Sequence, residues 1–442
     1  MSSRELVINI LYQVFEKGSY SNIVLNSALK KSELNDKDKA LVTEIVYGTI
    51  KYKYTIDSVL STFIRKGLKN LNSNILNILR SAIYQIRYLD KVPDFAVVNE
   101  AVELSKKYSS IKTSKFVNGV LRNYLRNKNK KYCNCEDILQ KLCFTYSFPK
   151  WMVQLFIKQY GEEKAEQICK GLNEVPDVTV RINNLKTSYE EITEKLINLG
   201  YELEDGNICP EAIRILKGKS IESNPLFKEG YMTVQDESAM LVAPIMDIEK
   251  NMKVLDLCSA PGGKSTHISE IMDNTGQVLS YDIHKTKLDL IKQNIKRLGI
   301  TNITCDVMNA SKFNKNLENS ADRVLIDVPC SGLGIIRKKP EIKWNKNLKE
   351  LKQLVRIQRN ILVNASIYVK QNGILIYSTC TLNKDENEKN IEWFIKQHPK
   401  FKVESIYFGN LDNVLYNKKG YVTILPNKSM DGFFIAKLRK QW

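Results

Sequence analysis

The sequence predicts an α/β protein, in which a largely parallel sheet with helices on both faces follows an all-helical domain and a small α+β module. Three observations predict it. From Gln235 onward, short apolar runs alternate with helical stretches, as in repeated strand–helix units. Over residues 1–130, apolar positions recur at helical spacing. Between these regions, residues 144–232 mix strand-like and helix-like segments.

In the first helical stretch, "ELVINILYQVFEKG", Val7, Ile10, Leu11 and Val14 share one face and Gly18 is a natural stop. "ILNILRSAIYQIRYL" places Ile75, Leu79, Ala82, Ile83 and Ile86 at the same spacing, and "FVNGVLRNYLRNK" closes the region. The N-terminus carries acids within its apolar stretch and no small-residue cleavage site, so it reads as a helix and not as a signal peptide. The chain's formal net charge is +18, and the excess is concentrated here: 23 Lys and Arg against 11 Asp and Glu through Lys131, or +12. That balance favours partners rich in phosphate, or an anionic membrane surface, and its concentration in this region favours nucleic acid. No apolar run reaches the ~18–20 residues that span a bilayer, so no membrane is expected.

The nine cysteines are odd in number and scattered, which argues against a disulfide framework and for a reducing cytoplasm. In the polar, lysine-rich stretch "NKNKKYCNCED", Cys133 and Cys135, with Cys143 nearby, lack the usual spacing of zinc ligands and have no histidine close by. They read as free thiols, and no metal is expected. In the central module, "VTVRIN" (178–183) alternates like a strand, "SYEEITEKLINLG" is an amphipathic helix ended by Gly200, and "YELE" is a second strand. The expected domains are therefore 1–130, 144–232 and 235–442.

In the last region the strand candidates are "KVLDL", "QVLSYD", "NITC", "RVLI" and "GILIYS", and later "YVTIL" and "FFIAKL". Ligands of such sheets bind beyond the carboxyl ends of the strands, where Asp256, Asp282, Asp327 and Cys330 fall. "DLCSAPGGKST" tempts a phosphate-loop reading. The pattern G-x-x-x-x-G-K-S/T, however, would need a glycine where Cys258 stands, and no dinucleotide fingerprint is present. What remains is a strand, a Gly-Gly turn that lets backbone come close to a ligand, and a helix start. Asp282 ends the next strand and can accept hydrogen bonds from both hydroxyls of a ribose. Asp306 ends a third. Acids at adjacent strand tips suit an adenosine with a positively charged tail, and S-adenosylmethionine is such a molecule.

Two thiols sit at strand ends: Cys330 in "DVPCSGLG" and Cys380 in "YSTCT". Free cysteines are usually buried as small apolar groups, but these are flanked by Asp, Ser and Thr. A thiol is not needed to methylate oxygen or an exocyclic amine. It is needed for C5 of a pyrimidine, because a thiolate adding to C6 makes C5 nucleophilic enough to take a methyl group. A second thiol could act as base or assist release, and Asp327 could hold or protonate N3. Pro329 stiffens the turn, while Gly332 and Gly334 let backbone approach a base. The residues themselves leave open which thiol attacks.

"DLCSAPGGKS", "DVPCSGLG", "YSTCT" and "KSMDGFFIAKL" together resemble the motif set of the Sun/RsmB family of bacterial ribosomal RNA cytosine-C5 methyltransferases. "DKALVTEIVYGTIKYKYTIDSVL" and "FVNGVLRN" resemble the NusB-like RNA-binding domain that begins those proteins, and the central module resembles their RRM-like domain. The resemblance implies a Rossmann-like methyltransferase core. It also implies transfer of a methyl group from S-adenosylmethionine to one unpaired cytosine in a hairpin loop of small-subunit (16S) ribosomal RNA. By motif, Cys380 would be the nucleophile and Cys330 would assist product release. Cys258, Ser259, Ala260, Pro261, Gly262, Gly263 and Lys264 would embrace the cofactor with Asp282, Asp306 and Asp327. One departure is "CDVMN", where relatives commonly show "GDA", at Asp306. A monomeric cytoplasmic enzyme is expected. The competing readings are the same chemistry on tRNA, a non-catalytic RNA-binding factor, and an amino-group methyltransferase. The last prefers an Asp/Asn-Pro-Pro-Phe/Tyr turn, and "DVPC" is not one.

Overall fold

The computed structural model describes residues 2–133 and 136–442. Contacts divide the chain into two units. One runs to Asn173 and takes in Ile336–Lys346; the other comprises Glu174–Ile335 and Asn347–Trp442.

The first unit is helical. Ser2 caps the opening helix, Ser3–Lys17, by accepting from the Glu5 N–H, and Gly18 ends it in the left-handed conformation. Its Val7, Ile10, Leu11 and Val14 are buried, as are Ile75, Leu79, Ala82, Ile83 and Ile86 of Ser73–Tyr88. The helical periodicity read from the sequence therefore marks the core face. Gly48 lies inside the helix Asp36–Lys51, where glycine costs about 1 kcal/mol of propensity. It is there because a Cβ would stand 1.8 Å from the Tyr84 ring.

Helices continue past the lysine-rich stretch, at Ile138–Tyr146, Lys150–Tyr160 and Glu162–Gly171, so residues 144–171, expected to open the central module, are helical and group with the first unit. Ile336–Lys346 also groups there, although the sequence reading places it in the last domain. Its Lys343 donates to the carbonyls of Lys51 (3.2 Å) and Ser147 (3.1 Å) and to Asn173 Oδ1 (2.8 Å). Its Trp344 donates to the Ile50 carbonyl. Cys133 is disulfide-bonded, in place of the expected free thiol; Cys135 lies outside the described residues.

The second unit holds two sheets. The smaller is antiparallel, in the order β2-β3-β1-β4, from β1 (Val178–Ile182), β2 (Glu202–Asp205), β3 (Ala212–Lys217) and β4 (Met232–Val234). The amphipathic helix Tyr189–Asn198 joins β1 to β2 and buries Ile192 and Leu196. β3 and β4 had no sequence forecast; three residues in β4 are too few to show a period.

The larger sheet contains β5 (Lys253–Asp256), β6 (Gln277–Asp282), β7 (Ile303–Val307), β8 (Ala321–Asp327), β9 (Val369–Thr379), β10 (Phe401–Glu404), β11 (Val414–Tyr416), β12 (Val422–Ile424) and β13 (Phe433–Lys440). Its order is β11-β12-β13-β9-β8-β5-β6-β7, with β10 pairing β13. β9, β8, β5, β6 and β7 are mutually parallel, while β13 pairs antiparallel with β9. The expected largely parallel sheet is present, with an antiparallel extension whose β10 and β11 were not anticipated. Both faces are covered. Leu255, Leu375 and Tyr377 pack with Leu362 and Phe394, while Val254, Ile374 and Ile376 pack with Ile268 and Met272. The chain adds β6 and β7 on one side of β5, then returns to place β8 and β9 on the other. That reversal opens a crevice beyond the carboxyl ends of β5 and β8.

Candidate active site

The crevice holds a cleft of about 240 Å³, lined among others by Cys258, Ala260, Asp282, Lys287, Asp327 and Pro329. The acids expected at the strand tips part ways here. Asp282, at the end of β6, is buried and faces the cleft; one of its oxygens accepts from the His284 N–H at 2.9 Å. Asp256, at the end of β5, is buried behind the loop, where it accepts from Ser265 Oγ at 2.6 Å; burial pushes its carboxyl up to about 7. It anchors the helix Gly263–Ile271 and does not line the cleft. Asp306 is exposed and accepts from its neighbour's N–H, Val307, at 2.7 Å. Past the end of β7 the Met308 N–H bonds to the Asp282 carbonyl, so Met308 and Asn309 line the cleft instead.

The loop from Cys258 to Lys264 is tied down residue by residue. The Ser259 N–H and Oγ both donate to the Tyr281 carbonyl at 2.9 Å. Asn294 Nδ2 donates to the Pro261 carbonyl. Gly262 sits at φ 101°, a left-handed conformation, where a Cβ would also lie 3.0 Å from Ile291. Lys264 turns away from this loop to donate to Asp327 Oδ2 at 2.6 Å. Burial alone would lower the lysine's pKa, but the neighbouring acids, Asp327 first and then Asp256, together turn the net shift upward. Ser378 Oγ donates to the other Asp327 oxygen at 2.9 Å, so both oxygens of Asp327 are engaged.

Cys330 follows β8 and Cys380 follows β9, and these neighbouring strands bring the two sulfurs to 3.4 Å. The Cys330 thiol is pushed well up, first by its contact with Cys380 and then by burial. It is therefore held protonated next to the second sulfur. The Gly334 N–H donates to the Cys380 carbonyl and the Gly432 N–H to the Gly334 carbonyl, each at 2.9 Å. A Cβ on Gly334 would stand 2.0 Å from the Gly432 oxygen. The glycines of "DVPCSGLG" and "MDGFF" thus let three backbone segments meet at Cys380.

Two residues that the sequence reading did not single out support these loops. Arg181 of β1 is fully buried. Its guanidinium bonds both oxygens of Glu270, at 2.8 and 3.1 Å, and donates to the Gly263 carbonyl (2.8 Å) and to Thr266 Oγ1 (3.2 Å). It pins the helix that follows the glycine turn. Glu386 is buried beneath the two cysteine turns. The available signal for Arg181 was a lone cation inside an apolar strand. "DENEKN" around Glu386 carries no such signal.

Comparison with known proteins adds family context. The 16S rRNA methyltransferase RsmB/F family matches residues 243–439, the NusB family residues 1–126, and the RsmF/B-like ferredoxin-like domain residues 148–222. The chain is similar to the probable ribosomal RNA small subunit methyltransferase B of Bacillus subtilis (strain 168), with 39% identity over 100% of this chain and 99% of that one. Among solved structures, PH0851 is 27% identical with a TM-score of 0.83 over 98% of each chain. NSun6 from Pyrococcus horikoshii, solved with SFG, is 25% identical with a TM-score of 0.61 over 67% of this chain and 99% of that one.

Proposed function

The chain belongs to the 16S rRNA methyltransferase RsmB/F family, and from that premise we propose that it transfers a methyl group from S-adenosylmethionine to C5 of an unpaired cytosine in small-subunit ribosomal RNA, through a covalent adduct between Cys380 and C6. The observation that carries the proposal is the pair of sulfurs 3.4 Å apart, in turns that follow the strand tips Asp327 and Thr379. Neither oxygen nor amine methylation needs a thiol. Addition of a thiolate at C6 is what makes C5 reactive.

The residues of the cleft fit an adenosine with a cationic tail. Asp282 supplies a buried carboxylate for ribose hydroxyls, Ile283 and Met308 give apolar walls, and Cys258 and Ala260 of the Cys258–Lys264 loop line the cleft together with the Asp327 carboxylate. When bound, S-adenosylmethionine supplies an electrophilic methyl group. A relative solved with SFG, an analogue of that cofactor, supports the same reading. Asp306 stands outside this arrangement, and we leave it out of the cofactor site.

In the mechanism, Cys380 Sγ adds to C6 of the cytosine, and C5, now enamine-like, takes the methyl group. The C5 proton then passes to water, and elimination breaks the bond from sulfur to C6, returning Cys380 as the thiolate. Cys330, held protonated beside Cys380, assists this release. Asp327 meets the N3 edge of the base while Lys264 and Ser378 hold its carboxylate in place. A base stacked in a duplex hides C5 and C6 from both thiol and methyl donor, so the cytosine must be unpaired, as in a hairpin loop. The +12 charge of residues 1–131 suits contacts to the flanking phosphates. Among the described residues no helix is long and apolar enough to cross a membrane, and we place the enzyme with its RNA in the cytoplasm.

Incubation of the protein with methyl-labelled S-adenosylmethionine and small-subunit ribosomal RNA, followed by nucleoside digestion, is expected to yield labelled 5-methylcytidine. Label in any other nucleoside, or transfer to tRNA alone, contradicts the proposal. Asp282→Ala is expected to weaken cofactor binding by about tenfold to a hundredfold, through the loss of charge-assisted hydrogen bonds. Calorimetry that finds unchanged affinity in the folded variant removes Asp282 from the site.

A further inference from the structure

Glu386 has no solvent exposure, and a carboxylate is costly to bury unless hydrogen bonds hold it. Two of its donor residues, Ser331 and Asn383, come from the turns that carry the two cysteines, and the third, Gln358, from the helix Leu348–Tyr368. The Ser331 N–H (2.9 Å) and Gln358 Nε2 (2.9 Å) bond Oε2, while Ser331 Oγ (2.6 Å) and Asn383 Nδ2 (3.1 Å) bond Oε1. Ser331 follows Cys330 in the chain, and Gln358 also holds the carbonyl of Pro329, which precedes it, at 3.0 Å. The Cys330 turn is thus fixed on both sides. Ser331 Oγ lies 2.7 Å from Thr381 Oγ1, and Thr381 follows Cys380. The next residue after Glu386, Asn387, accepts from Thr379 Oγ1 (2.6 Å) and donates to the Thr381 carbonyl (2.8 Å), which brackets Cys380 in the same way.

We propose that Glu386 is a positioning residue that sets the spacing of Cys330 and Cys380, by clamping the Ser331 side of one turn and, through Ser331 and Thr381, the matching side of the other. Its consequence for catalysis rests on the reading above, in which the two thiols share one reaction. Glutamine is nearly isosteric but cannot replace it. An amide nitrogen would face either the Ser331 N–H and Gln358 Nε2, or Asn383 Nδ2, so at least one donor would meet a donor. A displacement of about 1 Å in a reacting group can cost on the order of a hundredfold in rate.

The test uses the full chain and two readouts. The first is the rate at which diamide, an azo oxidant that takes two electrons and two protons from a pair of thiols, joins Cys330 to Cys380, followed by peptide mapping. The second is methyl transfer, split into kcat and KM. Glu386→Gln is expected to slow the pairing of the two sulfurs by about tenfold or more and to lower kcat comparably, with KM for S-adenosylmethionine unchanged. General loosening of the second unit would instead expose the buried Cys209 to thiol reagents, so its protection must be retained. Ser331→Ala keeps the backbone bond to Glu386 but loses both hydroxyl links. It should move both readouts in the same direction by less, and it decides the matter if Glu386→Gln does not fold. Wild-type pairing rate and kcat in a folded variant overturn the proposal. A wild-type protein that pairs its sulfurs quickly but makes no 5-methylcytidine overturns the functional reading instead, and the pairing rate of the variants still decides the role of Glu386.

Discussion

Cys380→Ala is expected to lower methyl transfer by a factor on the order of 10³ or more, because C5 of cytosine has no other route to nucleophilicity once the C6 adduct is lost. The same variant should bind S-adenosylmethionine normally, since Cys380 is not among the residues lining the cleft that holds Asp282. It should also give no covalent RNA complex on a denaturing gel. Cys330→Ala should behave differently: its sulfur is held protonated 3.4 Å from Cys380, so its removal should leave the adduct forming but slow its release. A persistent complex in Cys330→Ala and none in Cys380→Ala is the expected pair of lanes. The opposite pair reverses the roles of the thiols.

Arg181→Met should destabilise the second unit by about 3–5 kcal/mol, because the Glu270 carboxylate would stay buried without its partner. Both side chains of that ion pair are at least 97% shielded, so water cannot compensate. The loss reaches the cofactor loop as well, since the Gly263 carbonyl and Thr266 hydroxyl each lose a charged donor. Cofactor affinity should fall along with stability. Adding Glu270→Leu should recover part of the stability, since removing both charges leaves fewer unpaired groups than removing one. Denaturant unfolding checks this, and a single variant within about 1 kcal/mol of wild type would show that the pair is not the anchor.

What was legible in the sequence follows from where the signals sit. The β5, β6, β8 and β9 strands announce themselves as apolar runs, and a parallel sheet places Asp282, Asp327, Cys330 and Cys380 at one edge. The pairing of the two sulfurs was readable for the same reason. Asp306 shows the limit of that argument, because being near a strand tip does not say which way a side chain points, and the turn after β7 presents Met308 and Asn309 instead. Arg181 and Glu386 were out of reach for a related reason. A charge in a strand, or at the start of a helix such as Glu388–Gln397, normally marks the wet side. Only the tertiary arrangement supplies the buried donors and acceptors that make these two the exceptions. That Ile336–Lys346 packs with the first unit could not be read from the sequence, because its partners, Ser21, Ile50, Ser147 and Asn173, lie between 170 and 320 residues away in the chain, and no local pattern records them.

The most direct test is bisulfite sequencing of small-subunit ribosomal RNA from cells that lack this protein, complemented with the wild-type chain or with Cys380→Ala. One unpaired cytosine is expected to be protected from conversion by the wild-type chain and converted with Cys380→Ala. Protection that survives in Cys380→Ala, or no cytosine whose protection depends on the wild-type chain, would contradict the proposed function.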